Sequence, residues 1–384
     1  MATREFDIIL YGATGFTGFR TCQYLARNYK QGVRWAIAGR SIPKLEEVRE
    51  KLVAIDPALS KLAIIKADAS SPESLEAMTA RTKKIIQKYR NEARDKNTII
   101  IPQCGFDSVP SELGTKMVVD YLRKEYNLPT KSAKLSVTKI RGAGMMDSEE
   151  SGSFESMMDQ NQLVPEDVVS KIAPAKIEMR SAYYDYDFKL WQAFFVLSSP
   201  NEKLVKRSHG LQMEVDGVGY GSEFTYRESL SMPGFFTAAI ATLGMGLAGA
   251  VVAIGHIRRF LLRHVLTAPG GGPSDEEIAK SHFTMKVVGE SGLPENVPGD
   301  ASSQTAEGLT TPIKVVAVVQ GGDPGYSETC RYLAEGALCL VQNEDRIRNE
   351  NKITGGVLTP AFAFGQILVD RLRAQNVNLT VSKL

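Results

Sequence analysis

The sequence is poor in the residues that most often carry polar chemistry: four cysteines, four histidines and two tryptophans in 384 residues. Cys22, Cys104, Cys330 and Cys339 lie far apart, with no C-x-x-C pair and no disulfide-scaffold spacing, which fits a reducing, intracellular compartment. His209, His256, His264 and His282 have no metal-ligand spacing, so a metal centre has no support. An excess of one charge is missing too. Lys and Arg number 46 against 44 Asp and Glu, which gives no long-range field for drawing in nucleic acid. The opening MATREFDIIL has no apolar run long enough for a signal peptide, so secretion is not expected.

Catalytic signatures are also absent. None of the 13 tyrosines has a lysine four residues later, the spacing that lets a cation lower a phenol pKa in short-chain-type reductases. Neither G-x-S-x-G, H-E-x-x-H nor a Walker loop occurs. These motifs therefore identify no catalytic residue.

What is present is a clean alternation at the start of the chain. Strand Phe6 to Gly12, a helix, strand Val33 to Gly39, helix Pro43 to Ala54 and strand Leu62 to Asp68 form a βαβαβ half. Such crossovers predict a Rossmann-like, doubly wound parallel sheet of the α/β class. After Asp68 the charged segment SPESLEAMTARTKKIIQKYRNEARDK reads as helix up to the strand Thr98 to Gly105. No strand intervenes, so the central strand that a complete dinucleotide domain lays beside its first one has no source sequence.

Farther on, KLSVTKIRG, DFKLWQAFFVLSS and GSEFTYRESL read as strands of a second, α+β domain. FTMKVVGE and TPIKVVAVVQGG read as an antiparallel pair around a Gly/Pro/Ser-rich loop, SETCRYLAEGALCLVQN as a helix, and GGVLTPAFAFGQILVDRLRAQ as a turn opening a last helix. The expected division is an incomplete NADP-binding domain over 1–125, an α+β domain over 126–350 and a C-terminal helix over 351–384 packing back on the first domain.

Gly12-Ala13-Thr14-Gly15-Phe16-Thr17-Gly18 is a G-x-x-G-x-x-G turn between the first strand and its helix. Gly12 permits the tight turn, Gly15 lets backbone N–H groups approach a pyrophosphate, and Gly18 lets helix and strand pack closely. The second strand ends in Gly39-Arg40-Ser41, where an NAD-selective site would place a carboxylate. A guanidinium beside a hydroxyl suits a 2'-phosphate instead, so the expected cofactor is NADP(H). Asp68 ends the third strand, where it either caps an adenine pocket or starts the next turn. Cys104, Asp107 and Ser108 follow a parallel strand at its carboxyl end and are the substrate-side candidates. The plainer reading makes Asp107 a cap and Cys104 a small buried apolar residue.

Residues 229–257 are 29 consecutive positions without Asp, Glu, Lys or Arg, followed by Arg258, Arg259 and Arg263. Three readings stay open: a helix lying in a lipid surface, a true span, or a buried helix.

With YGATGFTG, AGRS, CGFDSVP, PGY (Pro324 to Tyr326) and GGVLTP (Gly355 to Pro360) in the expected order, the chain resembles the saccharopine dehydrogenase-like oxidoreductases, a family related to the trans-acting enoyl reductases. The resemblance spans nearly the whole chain. It implies an NADP(H)-type oxidoreductase acting on a lipid-linked or other apolar substrate, associated with a lipid droplet or membrane surface, with a homodimer as one arrangement. It also implies a departure: after MTARTK roughly 50 residues of the family pattern, a strand, helix and strand, are absent. A splice form, a skipped exon in a gene model, or a paralogue that has abandoned catalysis would each produce this gap. One structural remedy is that TIIIPQCG slides in beside the first strand. The alternative function is a catalytically impaired lipid-associated protein retaining a Rossmann scaffold.

Overall fold

The chain is represented by a computed structural model that describes residues 5–29, 32–68, 93–142, 182–253, 256, 272–293 and 311–384. The expected βαβαβ half is present. Strands β1 (Ile8–Tyr11), β2 (Trp35–Gly39) and β3 (Ala63–Lys66) form a parallel sheet in the order β1-β2-β3, joined by helices α1 (Phe16–Asn28) and α2 (Ile42–Val53). Every residue of β2 is buried, because it has a strand on either side and helices packed on it. By contrast β1 has no second neighbour among the described residues, and its Ile9 is 55% exposed. A parallel sheet normally covers such a strand on both edges and faces, so the open edge lies where the missing strand was expected.

The remedy through TIIIPQCG does not occur. Its strand β4 (Ile99–Ile100) pairs in parallel with β11 (Gly356–Val357), because Gly356 N–H donates to Thr98 and Leu358 N–H to Ile100. This ladder draws the segment away from β1 and onto the larger part of the protein.

That part is a seven-stranded sheet in the order β12-β10-β9-β5-β8-β7-β6. Its strands are β5 (Thr130–Arg141), β6 (Tyr183–Asp185), β7 (Leu190–Ala193), β8 (Thr225–Met232), β9 (His282–Ser291), β10 (Lys314–Gly321) and β12 (Asn378–Lys383). The β9–β10 pair is antiparallel as read from the sequence, whereas β5 and β8 run parallel. DFKLWQAFFVLSS yields only the four residues of β7. The next amide, Phe194 N–H, is taken by the Thr242 hydroxyl, and Ser198 already opens helix α4 (Ser198–Asp216).

Helices α3 (Val109–Tyr126) and α8 (Pro360–Ala374) contribute Leu113, Val118, Phe362 and Leu368 to the core of this sheet. The α3 and β4 segments thus pack with residues beyond 126, not with β1–β3. The C-terminal helix packs on α3 and on helix 329–350, and Arg371 from it donates to Tyr29 of the first part. Helix α7 (Thr329–Glu350) joins the two parts, since its Ala334 and Leu338 complete the small core beneath α1. Glu335 adds a buried polar joint: it accepts hydrogen bonds from Tyr24 and Tyr29 of the first part and from Arg371 of α8.

The apolar stretch forms α5 (Phe235–Ala253), and the buried-helix reading is wrong. Near its start it meets the protein: Ala238 is fully buried, and the Thr242 hydroxyl accepts from Phe194 N–H. Its large residues face outward, with Phe236 78% and Ile240 71% exposed and Leu243, Leu247 and Val251 continuing at helical spacing. An aromatic run, Tyr186, Tyr184, Trp191, Phe235, Phe236, extends this apolar surface, with neighbouring ring centroids 5.1 to 5.7 Å apart. Among the described residues no helix is long and apolar enough to cross a membrane. Arg258, Arg259 and Arg263, like the charged segment 69–92, lie outside the described residues.

Candidate cofactor and substrate site

The glycine turn is built as its spacing requires. Gly12 has φ +77°, where a side chain would be strained, and its N–H donates to Ala38 at 3.0 Å, locking the turn to β2. A Cβ on Gly18 would collide with the Gly12 carbonyl oxygen, so helix and strand approach this closely only through glycine. Gly15 has an ordinary φ of −77°. Its backbone conformation is therefore one that any residue adopts.

The helix start has the geometry of an anion site. Gly15 N–H is taken by Gly12 and Phe19 N–H by Gly15, but the N–H groups of Phe16, Thr17 and Gly18 meet no acceptor among the described residues. Three free donors at a helix N-terminus favour a phosphate. No acidic residue lies in the first turn of α1 to compete for them.

The second candidate turn is equally open. Gly39 is buried at the end of β2, and Arg40 is exposed just beyond it. Ser41 is the N-cap of α2, yet its hydroxyl makes no capping bond. A serine at an N-cap usually satisfies a helix N–H. Ser41 and its exposed neighbour Arg40 thus lie at a helix start, where a second phosphate would be held. The residues present thus fit a 2'-phosphorylated dinucleotide. Asp68 follows β3 and is half-buried, next to Ala67, whose N–H donates to Gly39.

The substrate-side candidates divide. Asp107 has an exposed surface, and desolvation by the surrounding protein raises the pKa of its carboxyl. Cys104 is half-buried, and burial pushes its thiol up to about 12, so it remains a neutral thiol and not a nucleophile. Ser108 turns inward. Its hydroxyl donates to Asn201 at 3.0 Å within a buried network that includes Ser111, Glu228 and Tyr226, so it is not presented to a ligand.

A turn that the sequence reading used only for resemblance joins the two parts of the site. Asp323 is buried and accepts from Tyr326 N–H at 2.7 Å and Ser327 N–H at 3.0 Å, while its other carboxylate oxygen has no partner among the described residues. The Tyr326 ring meets Phe16 of the glycine turn edge-on at 4.8 Å. Cys330 follows, with its thiol 3.3 Å from the Thr17 carbonyl, and Thr329 accepts from Phe106 N–H at 3.2 Å. Residues 323–330 therefore bridge the glycine turn and the Cys104–Asp107 turn. Gln103, just before Cys104, has φ +61° and a buried side-chain oxygen without a partner among the described residues, a strained and unsatisfied position of the kind found at ligand sites. Asp323 and Gln103 carry no local signature. Only the G-G-D-P-G-Y turn, with aspartate before proline, hinted at the first.

No family model matches the chain. It is 28% identical to a Mycobacterium tuberculosis protein provisionally named a trans-acting enoyl reductase, over 99% of this chain and 98% of that one. It is 27% and 26% identical to the trans-acting enoyl reductases of Mycobacterium ulcerans and Mycobacterium leprae, again over 99% or more of this chain and 99% of each relative. The alignment with the first runs over 442 positions against 384 residues here, at least 58 more than this chain supplies. Aspartate semialdehyde dehydrogenase II from Vibrio cholerae aligns over 88% of this chain and 99% of its own at 10% identity and a TM-score of 0.28, a likeness too slight to carry an argument.

Proposed function

We propose that the chain is an NADP(H)-dependent oxidoreductase that reduces an apolar, lipid-class substrate. The observation that carries this reading is the pair of open helix starts on adjacent strands: three free N–H groups at α1 and the unengaged Ser41 hydroxyl beside Arg40 at α2. The first would hold the pyrophosphate and the second the 2'-phosphate. The bound cofactor would supply hydride. Asp107 and the 323–330 turn would line the face on which a substrate meets it.

The names of the relatives support an enoyl group as the acceptor. The saccharopine dehydrogenase-like resemblance remains part of this reading, as does a lipid droplet or membrane surface as the place of work. Support for the latter is the outward apolar face of α5 with its aromatic run, an arrangement suited to lying in a lipid interface. A second reading, a lipid-associated protein without catalysis, is favoured by the lack of a second neighbour for β1 among the described residues.

The two separate on titration with NADPH, using NADH as control and Gly15→Val as the blocked site. Saturable binding that prefers NADPH, is lost in the variant, and is followed by NADPH oxidation with a long-chain enal supports the enzyme. A folded protein that binds neither nucleotide refutes it.

A further inference from the structure

Helix α6 (Asp275–Lys280) has no buried residue, yet the segment leading into it is pinned to the glycine turn. At Gly272 a Cβ would lie 2.5 Å from the Phe16 ring, so a side chain there would have to displace that ring. Three residues on, Asp275 accepts from Arg20 at 2.6 Å although it is 89% exposed. Arg20 in turn lies over Phe16, its guanidinium carbon 4.7 Å from the ring centroid, because a helical side chain leans toward the N-terminus of its helix. Its Nε has no partner among the described residues. The C-terminal end of this segment is firmly held, since Phe283 and Met285 of β9 are buried in the large sheet. Among the described residues its other end is held by the Phe16 contact and a surface ion pair, the mark of a weakly held part of the fold.

We propose that residues 272–280 form a nucleotide-linked strap, held on the rim of the glycine turn by Arg20 and Asp275 and released when a phosphate takes Arg20. This rests on the cofactor reading above. Arg20 sits one helical turn behind the free N–H groups of Phe16, Thr17 and Gly18 and still has donors to offer. A phosphate at those N–H groups offers it several oxygens and more charge than one exposed carboxylate. The anion and Asp275 then compete for the same guanidinium, and binding is coupled to release of the strap.

The test is hydrogen exchange of the peptide spanning 272–281 in the full chain, with NADPH and with inorganic pyrophosphate as separate probes. Faster exchange on binding is expected. In Asp275→Asn the exchange should already be fast without ligand, and NADPH should bind about two- to fivefold more tightly, the span of one surface ion pair. NADPH binding with unchanged or slower strap exchange overturns the strap and leaves the cofactor reading intact. Release by pyrophosphate without NADPH binding supports the strap and refutes the cofactor. If neither anion binds, both fall.

Discussion

Removing the Glu335 carboxylate tests the joint that positions α1. Glu335 is fully buried and accepts from the Tyr24 hydroxyl at 2.7 Å, the Tyr29 hydroxyl at 2.5 Å and Arg371 Nε at 2.8 Å. Burial together with the adjacent carboxylate raises Tyr29 to about 12, so the phenol stays a donor at every ordinary pH. Glu335→Ala removes three hydrogen bonds to one carboxylate and leaves the largely buried Arg371 without its counter-charge. Removing one partner of a buried ion pair costs about 3–5 kcal/mol. An unfolding entropy of about 2.1 cal/mol/K per residue converts this to a fall in Tm of about 4–6 °C if the chain unfolds as one unit. Glu335→Gln keeps an acceptor but no charge and should lose about half as much. The assay is thermal unfolding by circular dichroism, with urea titration alongside. A Glu335→Ala protein melting within about 1 °C of the parent, or a glutamine variant as unstable as alanine, would refute the account of this joint.

Arg40→Asp places a carboxylate where the 2'-phosphate is expected, and the ratio of NADPH to NADH affinity, read by fluorescence titration, should reverse. Replacing Phe236 and Ile240 together with aspartate should abolish flotation with lipid vesicles and leave the melting temperature nearly unchanged, because both side chains are largely exposed. Glu112 and Glu228 make stability depend on pH. Desolvation raises them to about 7 and about 8 from an ordinary 4.5, against hydrogen bonds from Ser208 and Ser111, among others, that pull the other way. The folded state therefore holds these protons more tightly than the unfolded chain. Their contribution is complete below the unfolded value and is lost as pH rises through about 7 and 8. Urea midpoints should decline over that interval, and Glu112→Gln and Glu228→Gln should flatten the decline.

Much of the anion site was legible because its determinants are local. A strand, a turn with Gly12 and Gly18, and a helix occupy consecutive residues, and Arg40 follows β2 directly. Gly15 was legible as part of the same spacing, although its φ of −77° is one that any residue adopts. The substrate side was less so. Ser108 and Asp107 are neighbours in sequence, but packing of α4 buries one in a polar network while the other keeps an open surface. The fate of the apolar stretch also escaped the sequence, since hydropathy records that a residue is apolar but not whether Ala238 or Phe236 faces the protein.

By itself the sequence determined the parallel βαβαβ half and the turn that would receive a phosphate, both through periodicity and spacing within one unit. Tertiary structure decided where TIIIPQCG pairs, which face of α5 is covered and that residues 323–330 close on the glycine turn. Each of these is a choice among partners distant in the chain. Such choices are made by which contacts bury the most apolar surface while leaving the fewest backbone groups unpaired, a balance that no stretch of neighbouring residues contains.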